Sequence, residues 1–252
     1  MRPVLFELGP LELRSYGVFV ALAFVAAWLV LRSELERRVG RGREAGALIL
    51  AAAVGGLAGA RLYWFVEHAS TAAPGELLSG AGFTWYGGVI GGAAAVLALA
   101  WLKRLNADAL LGAAAPALAL GYGLGRIACQ FAGDGTYGRP SDLPWAMAYP
   151  EGEVPTTERV HPTPVYETLA SLIIFALLWR LRRRMSALGL FGLYLVAAGA
   201  ERFLVEFLRR NDEVAFGLTQ PQLFALGLAC LGALLLAGPS VRRAELGSGR
   251  PA

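Results

Sequence analysis

The chain has 252 residues, of which 56% are apolar and only 17% are charged, and its mean hydropathy is +0.51. This composition excludes an ordinary soluble domain, and membrane topology explains the net charge of +4 better than nucleic-acid binding does. The two cysteines, Cys129 and Cys230, lie in different apolar stretches, so they predict neither a disulfide framework nor a zinc site.

Seven apolar stretches approach the roughly 20 residues that a helix needs to cross the hydrocarbon core. They are rich in Gly and Ala and continuous rather than alternating, which predicts helices instead of barrel strands. Their approximate limits are 16–31, 45–66, 83–102, 107–131, 164–179, 188–208 and 216–238. We therefore expect an all-α polytopic membrane protein with seven transmembrane helices. Residues 1–240 would form a single domain with an outer loop at 132–163, and residues 241–252 a cytoplasmic tail.

The lysines and arginines predict the orientation of these spans. Fourteen of the 23 lie in one alternate set of loops and the carboxyl-terminal tail, six lie in the other set, and three lie within spans. The positive-inside rule assigns the richer set to the cytoplasm. We therefore expect the amino terminus outside and the carboxyl terminus in the cytoplasm, as an odd number of spans requires.

The segment before the first span predicts a short strand at residues 4–8 and a turn at Gly9 and Pro10, lying at the outer surface. It does not have the order of a signal peptide, because basic residues follow the first apolar run instead of preceding it. Tyr16 stands at the outer mouth of the first span. An interfacial tyrosine is either a membrane anchor or part of a pocket.

Two further polar side chains lie near the outer ends of spans. Arg61 precedes the end of the second span by about one turn, where its side chain could extend to the surface past Tyr63 and Trp64 or face a cavity. Tyr86 stands among interfacial aromatic residues, but a pair of glycines follows it directly. This pattern is compatible with a belt residue and with a phenol presented to a cavity.

The most informative stretch is residues 121–140, which contains Arg126 and Gly138. A charged side chain at the centre of a bilayer costs at least roughly 2.5 to 3.5 kcal/mol, so Arg126 is expected to face a partner or a wet cavity. The glycines of this stretch serve either close helix packing or the formation of a pocket. Further along, Glu167 falls in the first turn of the fifth span, where its interaction with the helix dipole is a sufficient structural role.

The sixth span ends in Arg202, Glu206 and Arg209, spaced by four and three residues. This spacing places the three side chains on one helical face. An intrahelical ion pair would lower the cost of insertion, and the same stripe would also bind an anionic headgroup.

The polar groups within spans all fall in the outer half under the predicted topology. Arginines bind phosphate through two donors and stabilise charge that develops on a leaving phosphate. A transporter would instead place ionisable groups near the midplane on broken helices in repeated halves, which the sequence does not show. It also shows no nucleotide-binding loop, no His-rich metal set and no Ser-His-Asp arrangement. We therefore predict an outer-leaflet phospholipid site without a metal or cofactor.

Several motifs together resemble the bacterial prolipoprotein diacylglyceryl transferases over essentially the whole chain. The matching segments are 15–17, 86–91, 125–127, 137–140, 161–167 and 202–209. The resemblance implies transfer of the diacylglyceryl group of phosphatidylglycerol to the lipobox cysteine thiol of a preprolipoprotein, with release of glycerol phosphate. It also implies a multi-pass protein of the bacterial cytoplasmic (inner) membrane whose active site faces the outer leaflet.

The resemblance also assigns roles to individual residues. Arg126 and Arg202 would hold the phosphate and act in catalysis together with Tyr86. Tyr16 would line the pocket, Glu206 would orient Arg202, and Gly138 would be a required glycine of the signature loop. The remaining residues expected to contact substrate are Arg61, Gln130 and Arg209.

Three departures from the family pattern leave an alternative open. Tyr86 occupies the usual place of a histidine, Cys129 followed by Gln130 replaces an asparagine, and the segment between Arg126 and Gly138 is one residue longer. The insertion leaves Asp134 out of step with the family's acidic position, and Gln130 would preserve the polar lining through its amide. A phenol with an ordinary pKa of about 10 is poorly matched as a base for a thiol with an ordinary pKa of about 8.5. The alternative is a diverged member that binds phospholipid or uses a different lipid or acceptor.

The predicted topology can be measured with reporter fusions. Fusions after Arg43, Arg104, Arg184 and the carboxyl terminus should report the cytoplasm, and fusions near Ala73, Glu153 and Asn211 should report the outside, because basic residues are retained on the cytoplasmic side. Two or more reversed signals would contradict the seven-span order.

Overall fold

A computed structural model describes residues 3–8, 11–68 and 84–238. Within these ranges, seven helices are long and apolar enough to cross a membrane, which confirms the predicted fold class. The helices are α1 (Ser15–Val39), α2 (Ala45–Glu67), α3 (Trp85–Leu102), α4 (Ala107–Ala132), α5 (Thr163–Leu181), α6 (Ala187–Glu206) and α7 (Gln220–Ala237). A 3-10 turn, Gly42–Glu44, precedes α2.

Three short antiparallel hairpins accompany the helices in the described residues. They pair β1 (Val4–Leu8) with β2 (Leu11–Arg14), β3 (Met147–Tyr149) with β4 (Thr156–Val160), and β5 (Glu213–Ala215) with β6 (Leu218–Thr219). The predicted strand at residues 4–8 is thereby confirmed, whereas the predicted turn at Gly9 and Pro10 lies outside the described residues. The hairpins at β3–β4 and β5–β6 follow α4 and α6, the helices that carry Arg126 and Arg202.

Two helix boundaries differ from those predicted. The first helix continues to Val39 because Glu34, which is fully buried, accepts hydrogen bonds from Arg37 and Arg38 at 3.0 and 3.3 Å and so supports the charged end. The last helix begins at Gln220 rather than 216. Phe216 adopts a φ of 55° and is 96% exposed in the turn of the β5–β6 hairpin.

The chain divides into two compact units. The first comprises Met1–Val30 together with Leu111–Ala252, and the second comprises Leu31–Leu110. In the first unit, a core of Ala115 and Ala119 from α4, Leu178 from α5 and Leu190 from α6 holds three helices together. This packing brings the carboxyl ends of α4 and α6 to the same level as the amino end of α5. Arg126, Glu167 and Arg202 are carried by these helix ends.

The second unit depends on close contact between α2 and α3. Gly55 and Gly59 of α2 face Gly87 and Gly91 of α3, and a Cβ placed on Gly59 would lie 2.7 Å from the Cα of Gly91. Two helix backbones can approach this closely only where neither presents a side chain. The small-residue spacing in the second span therefore marks a helix interface.

This interface yields a stability prediction with a matched control. Gly59→Ala should lower the free energy of unfolding by about 1 to 3 kcal/mol relative to Gly56→Ala, because overpacking forces the two backbones apart. A Cβ on Gly56 would meet its nearest atom, the Gly88 carbonyl oxygen, at 3.5 Å, which is ordinary contact. Thermal unfolding of the purified variants in detergent measures the difference. Equal stability of the two variants would contradict the close packing.

Candidate functional site

A buried carboxylate in the first unit collects three arginines. Glu167 on α5 is fully buried, and it forms ion pairs with Arg126 of α4, with Arg202 Nη1 of α6 at 3.4 Å, and with Arg209 Nη1 at 3.6 Å in the turn after α6. The hydroxyl of Tyr122 on α4 donates to Glu167 Oε1 at 3.2 Å. One carboxylate thus joins side chains from three helices, and Glu167 has a far larger role than the helix-dipole interaction that its position in the sequence predicted.

A second carboxylate holds the same arginines from the other side. Glu206 Oε2 lies 2.6 Å from Arg202 Nη2 and 3.8 Å from Arg209 Nε. Its other oxygen, Oε1, accepts hydrogen bonds from Asn211 Nδ2 at 2.6 Å and from Thr219 Oγ1 at 2.9 Å. Glu206 is therefore fixed by the hairpin after α6, and it fixes Arg202 in turn. The predicted ion pair between Arg202 and Glu206 is present.

We call Arg126, Arg202, Arg209, Glu167 and Glu206 the arginine cluster. Three guanidinium groups and the two carboxylates that contact them leave one formal positive charge. Arg126 Nε and Arg209 Nη1 are buried and have no hydrogen-bond acceptor among the described residues. Burial lowers the pKa of Arg209, and the carboxylate of Glu167 opposes this shift, so the guanidinium remains charged. The cluster is therefore electrostatically suited to a singly charged anion.

A third carboxyl group lies beside the cluster without joining it. Glu201, directly before Arg202, is 9% exposed, and its Oε1 has no hydrogen-bond partner among the described residues. It lies within electrostatic reach of Glu167 and of Arg126.

Gly138 connects the long loop to the turn that carries Arg209. Its N–H donates to the His161 carbonyl at 2.8 Å, and its own carbonyl accepts from Arg210 Nε at 2.9 Å. A Cβ at this position would overlap the Leu208 carbonyl oxygen. A residue with a side chain here would push the loop away from the turn, which gives the predicted requirement for glycine a steric reason.

Tyr16 lies at a cavity of about 540 Å³ in the first unit. The other lining residues are Arg14, Gly17, Asp134 and Glu153. Arg14 Nη1 and Glu153 Oε1 are 3.7 Å apart, and Asp134 is held by hydrogen bonds from the backbone N–H and the hydroxyl of Thr136 at 3.1 and 2.6 Å. Asp134 thus presents a carboxylate at the cavity although its spacing differs from the family pattern.

Cys129 and Gln130 take different directions from the end of α4. Arg126 Nη1 lies 3.6 Å from Cys129 Sγ, so the thiol adjoins the cluster. The Gln130 amide instead accepts from the Tyr149 hydroxyl at 3.0 Å and donates to Met147 Sδ at 3.5 Å. Burial raises the pKa of Tyr149 to about 12 although the Gln130 bond opposes the shift, so this donor stays protonated at neutral pH. Gln130, predicted to contact substrate, is engaged with strand β3.

The two remaining predicted residues belong to the second unit. Arg61 is only 7% exposed, and its guanidinium carbon lies 4.6 Å from the centroid of the Trp64 ring. It is therefore stacked and buried rather than extended to the surface. Tyr86 is partly buried near the amino end of α3, with its ring edge-on to Trp85 at a centroid distance of 5.2 Å.

Glu167 is the residue whose role the sequence reasoning missed. A usable signal was present, since three arginines at one end of the bundle had only Glu206 as a recognised partner. A buried cation without a counter-charge is costly. Charge balance would therefore have pointed to the carboxylates in the outer halves of the predicted spans that had no assigned partner, which are Glu167 and Glu201.

Comparison with known proteins adds an independent finding. Residues 3–237 match the family model described as prolipoprotein diacylglyceryl transferase. The chain is 34% identical to the phosphatidylglycerol–prolipoprotein diacylglyceryl transferase of Clostridium tetani, over 83% of this chain and 86% of that one. It is 33% identical to the protein of that name from Bordetella avium and 32% identical to the one from Methylococcus capsulatus, over 96% of both chains in each case.

The central position of Glu167 predicts a large effect on stability. Glu167→Gln should lower the free energy of unfolding by about 3 to 5 kcal/mol, because it removes the buried carboxylate that Arg126, Arg202 and Arg209 share. Thermal unfolding in detergent at low ionic strength measures the loss.

A matched control is Glu158→Gln, which removes an exposed carboxylate 3.9 Å from Arg210 Nη2. An exposed pair of this kind contributes about 0 to 1 kcal/mol. A similar small effect of both substitutions would refute the central role of Glu167.

Proposed function

The chain belongs to the prolipoprotein diacylglyceryl transferase family and is therefore a transferase; we propose that the arginine cluster is the site at which it acts on phosphatidylglycerol. The enzyme transfers the diacylglyceryl group of this lipid to the lipobox cysteine thiol of a preprolipoprotein and releases glycerol phosphate. The observation that carries this proposal is the convergence of Arg126, Arg202 and Arg209 on two fixed carboxylates. Identities of 31–34% over most of the chain favour this activity over a different lipid or acceptor.

The reaction explains why such a site carries excess positive charge. The acceptor thiol gives up its proton, its sulfur forms a bond to the terminal glyceryl carbon of the diacylglyceryl group, and the bond from that carbon to the phosphate oxygen breaks. The phosphodiester of the lipid carries one negative charge, and the departing phosphate gains another. Guanidinium groups held in place before the reaction stabilise this developing charge without reorganising.

The donors of the cluster support binding of a phosphate. Each guanidinium presents donors in a planar fork that matches two oxygens of a phosphate. Arg126 Nε and Arg209 Nη1 make no hydrogen bond among the described residues, and phosphate oxygens are acceptors of the required charge. Glu167 and Glu206 then act as positioning residues that keep the arginines oriented.

The cavity at Tyr16 supports a place for the glycerol headgroup. Its volume of about 540 Å³ lies in the range of small-molecule sites. Carboxylates such as Asp134 and Glu153 accept hydrogen bonds from hydroxyl groups, and the phenol of Tyr16 can donate or accept. Tyr16 is also within electrostatic reach of Arg126. A glycerol headgroup would thus find hydroxyl-binding groups next to the phosphate site.

The helices make the chain a multi-pass membrane protein. We further propose that it resides in the cytoplasmic membrane of a bacterium, with its amino terminus outside and the arginine cluster toward the outer leaflet. The distribution of basic residues supports this orientation. The acceptor thiol would reach the cluster from the outer side of the membrane.

The phosphate contact can be tested by substitution of single arginines. Arg202→Lys and Arg126→Lys should each lower single-turnover transfer by about 10²-fold or more, because lysine lacks the planar two-donor fork. Transfer is measured as attachment of radiolabelled lipid to a lipobox peptide by protein in phosphatidylglycerol vesicles.

Arg180→Lys is the matched control, since Arg180 is exposed near the opposite end of α5. It should transfer lipid at the wild-type rate. Wild-type transfer by Arg202→Lys would exclude bidentate binding of the phosphate by Arg202.

Substitution of Tyr86 tests whether its phenol acts as a base or as a hydrogen-bond donor. We expect Tyr86→Phe to retain some transfer, with a loss of about 1 to 3 kcal/mol, as when a buried polar partner is left unpaired. A phenolate base would require cationic stabilisation, and in this proposal the arginines of the cluster are already committed to the phosphate.

The pH profile decides between the two roles of Tyr86. Single-turnover transfer by Tyr86→Phe should show the wild-type profile between about pH 6 and 9 if the phenol is a hydrogen-bond donor. Complete loss of transfer would instead assign the proton acceptor to Tyr86. In that case Tyr86→His should retain transfer, since imidazole titrates near pH 6.5.

A further inference from the structure

An exposed apolar patch lies on the long loop. We call Leu143, Trp145 and Met147 the loop patch. All three are exposed, and Trp145 is the most exposed of them at 57%. Large apolar side chains exposed close together in a loop indicate an interaction surface.

The loop patch is fixed in place by side-chain bonds to the helix ends. Trp145 Nε1 donates to the hydroxyl of Tyr166 at 2.8 Å, and Tyr166 belongs to the first turn of α5. At the other end of the patch, Gln130 Nε2 of α4 donates to Met147 Sδ at 3.5 Å. The patch therefore lies at the level where α4 ends and α5 begins.

Arg159 holds the backbone of the same segment. Its guanidinium Nη2 donates to the carbonyl oxygens of Leu143, Pro144 and Ala146 at 3.3, 3.2 and 3.1 Å. Three carbonyls bound by one charged group fix the curvature of the segment. The loop patch is thus held in its exposed position by hydrogen bonds to Tyr166, Gln130 and Arg159.

The patch continues an apolar stripe along α5. Leu169, Ile173 and Leu177 are all exposed, and Ile173 reaches 70%. Together with Tyr166, they recur at spacings of three and four residues and so share one helical face. An exposed apolar face on a membrane-spanning helix contacts lipid. Tyr166 stands at the end of this lipid-facing stripe, and Trp145 is bonded to it.

We propose that the loop patch docks into the interface of the lipid bilayer, where headgroups meet acyl chains. Trp145 fits this position because its ring is apolar while its N–H already has a partner, and tryptophan is enriched at membrane interfaces. Leu143 and Met147 supply apolar area on either side of it. The same loop carries Gly138, which contacts the turn that bears Arg209, so docking of the patch would hold this part of the loop at the membrane surface. This inference goes beyond the transferase reaction and does not depend on it.

Spin labelling tests the proposal directly. In a background with Cys129→Ser and Cys230→Ser, nitroxide labels are attached at W145C and, in a second protein, at L143C, after reconstitution in phosphatidylglycerol-containing vesicles. L143C keeps the Trp145 bond to Tyr166, so it remains informative if W145C perturbs the loop. I173C on the lipid-facing stripe is the lipid control, and E158C on strand β4 is the water control, since the Glu158 side chain is 67% exposed.

We expect the labels at positions 145 and 143 to be more accessible to molecular oxygen than to a water-soluble nickel chelate, as the label at position 173 should be. A preference for the nickel chelate at both positions, as at 158, would overturn the proposal. Protection from both reagents would also overturn it, because the patch would then be covered by protein. A third contrary outcome involves a peptide with an apolar signal segment. If the labels prefer the nickel chelate and become protected only when this peptide is added, the proposal is wrong, and the occupant of the loop patch is the acceptor peptide.

Discussion

The buried carboxylate of Glu167 is the constraint on which the rest of the site depends. Three arginines in the apolar interior of one helix bundle would repel one another and would each lack solvation. Glu167 contacts all three, and Glu206 contacts two of them. The ion pairs offset only part of the cost of removing these charges from water. What the arrangement does provide is a fixed geometry with one positive charge left over.

That geometry is supported by parts of the chain outside the membrane-spanning segments. Asn211 and Thr219 bind the second oxygen of Glu206, so the short β5–β6 hairpin contributes to the orientation of Arg202. Gly138 brings the long loop into backbone contact with the turn that carries Arg209. The loop and the hairpin therefore have a structural task in the site. Neither is a mere connection between helices.

The sequence predicted the helices and the local ion pair well, and it predicted the long-range contacts poorly. Hydropathy predicts a span because the thickness of the hydrocarbon core requires about 20 apolar residues. The spacing of Arg202 and Glu206 places them on one face of any helix. Glu167 had a sufficient local role at a helix start, and nothing local connects it to Arg126 on another helix. Gln130 and Cys129 are neighbours in sequence but point about 100° apart around the axis of α4. The sequence does not show how α4 is rotated about this axis, so it did not show which of the two side chains lies beside Arg126. Phe216 was assigned to the last helix because it is apolar, whereas the positive φ of Phe216 and Gly217 makes a turn.

The wide separation of the cluster along the chain has a consequence for biogenesis. Arg126 is synthesised before Glu167, which follows it by about forty residues, and Arg202 comes a further 35 residues later. At roughly 5 to 20 residues per second, the ribosome needs about 2 to 8 s to supply the first counter-charge. During this interval α4 carries an arginine without its partner carboxylate. We therefore expect α4 to become more stable in the bilayer once α5 has supplied Glu167, because an unpaired arginine raises the cost of inserting a helix.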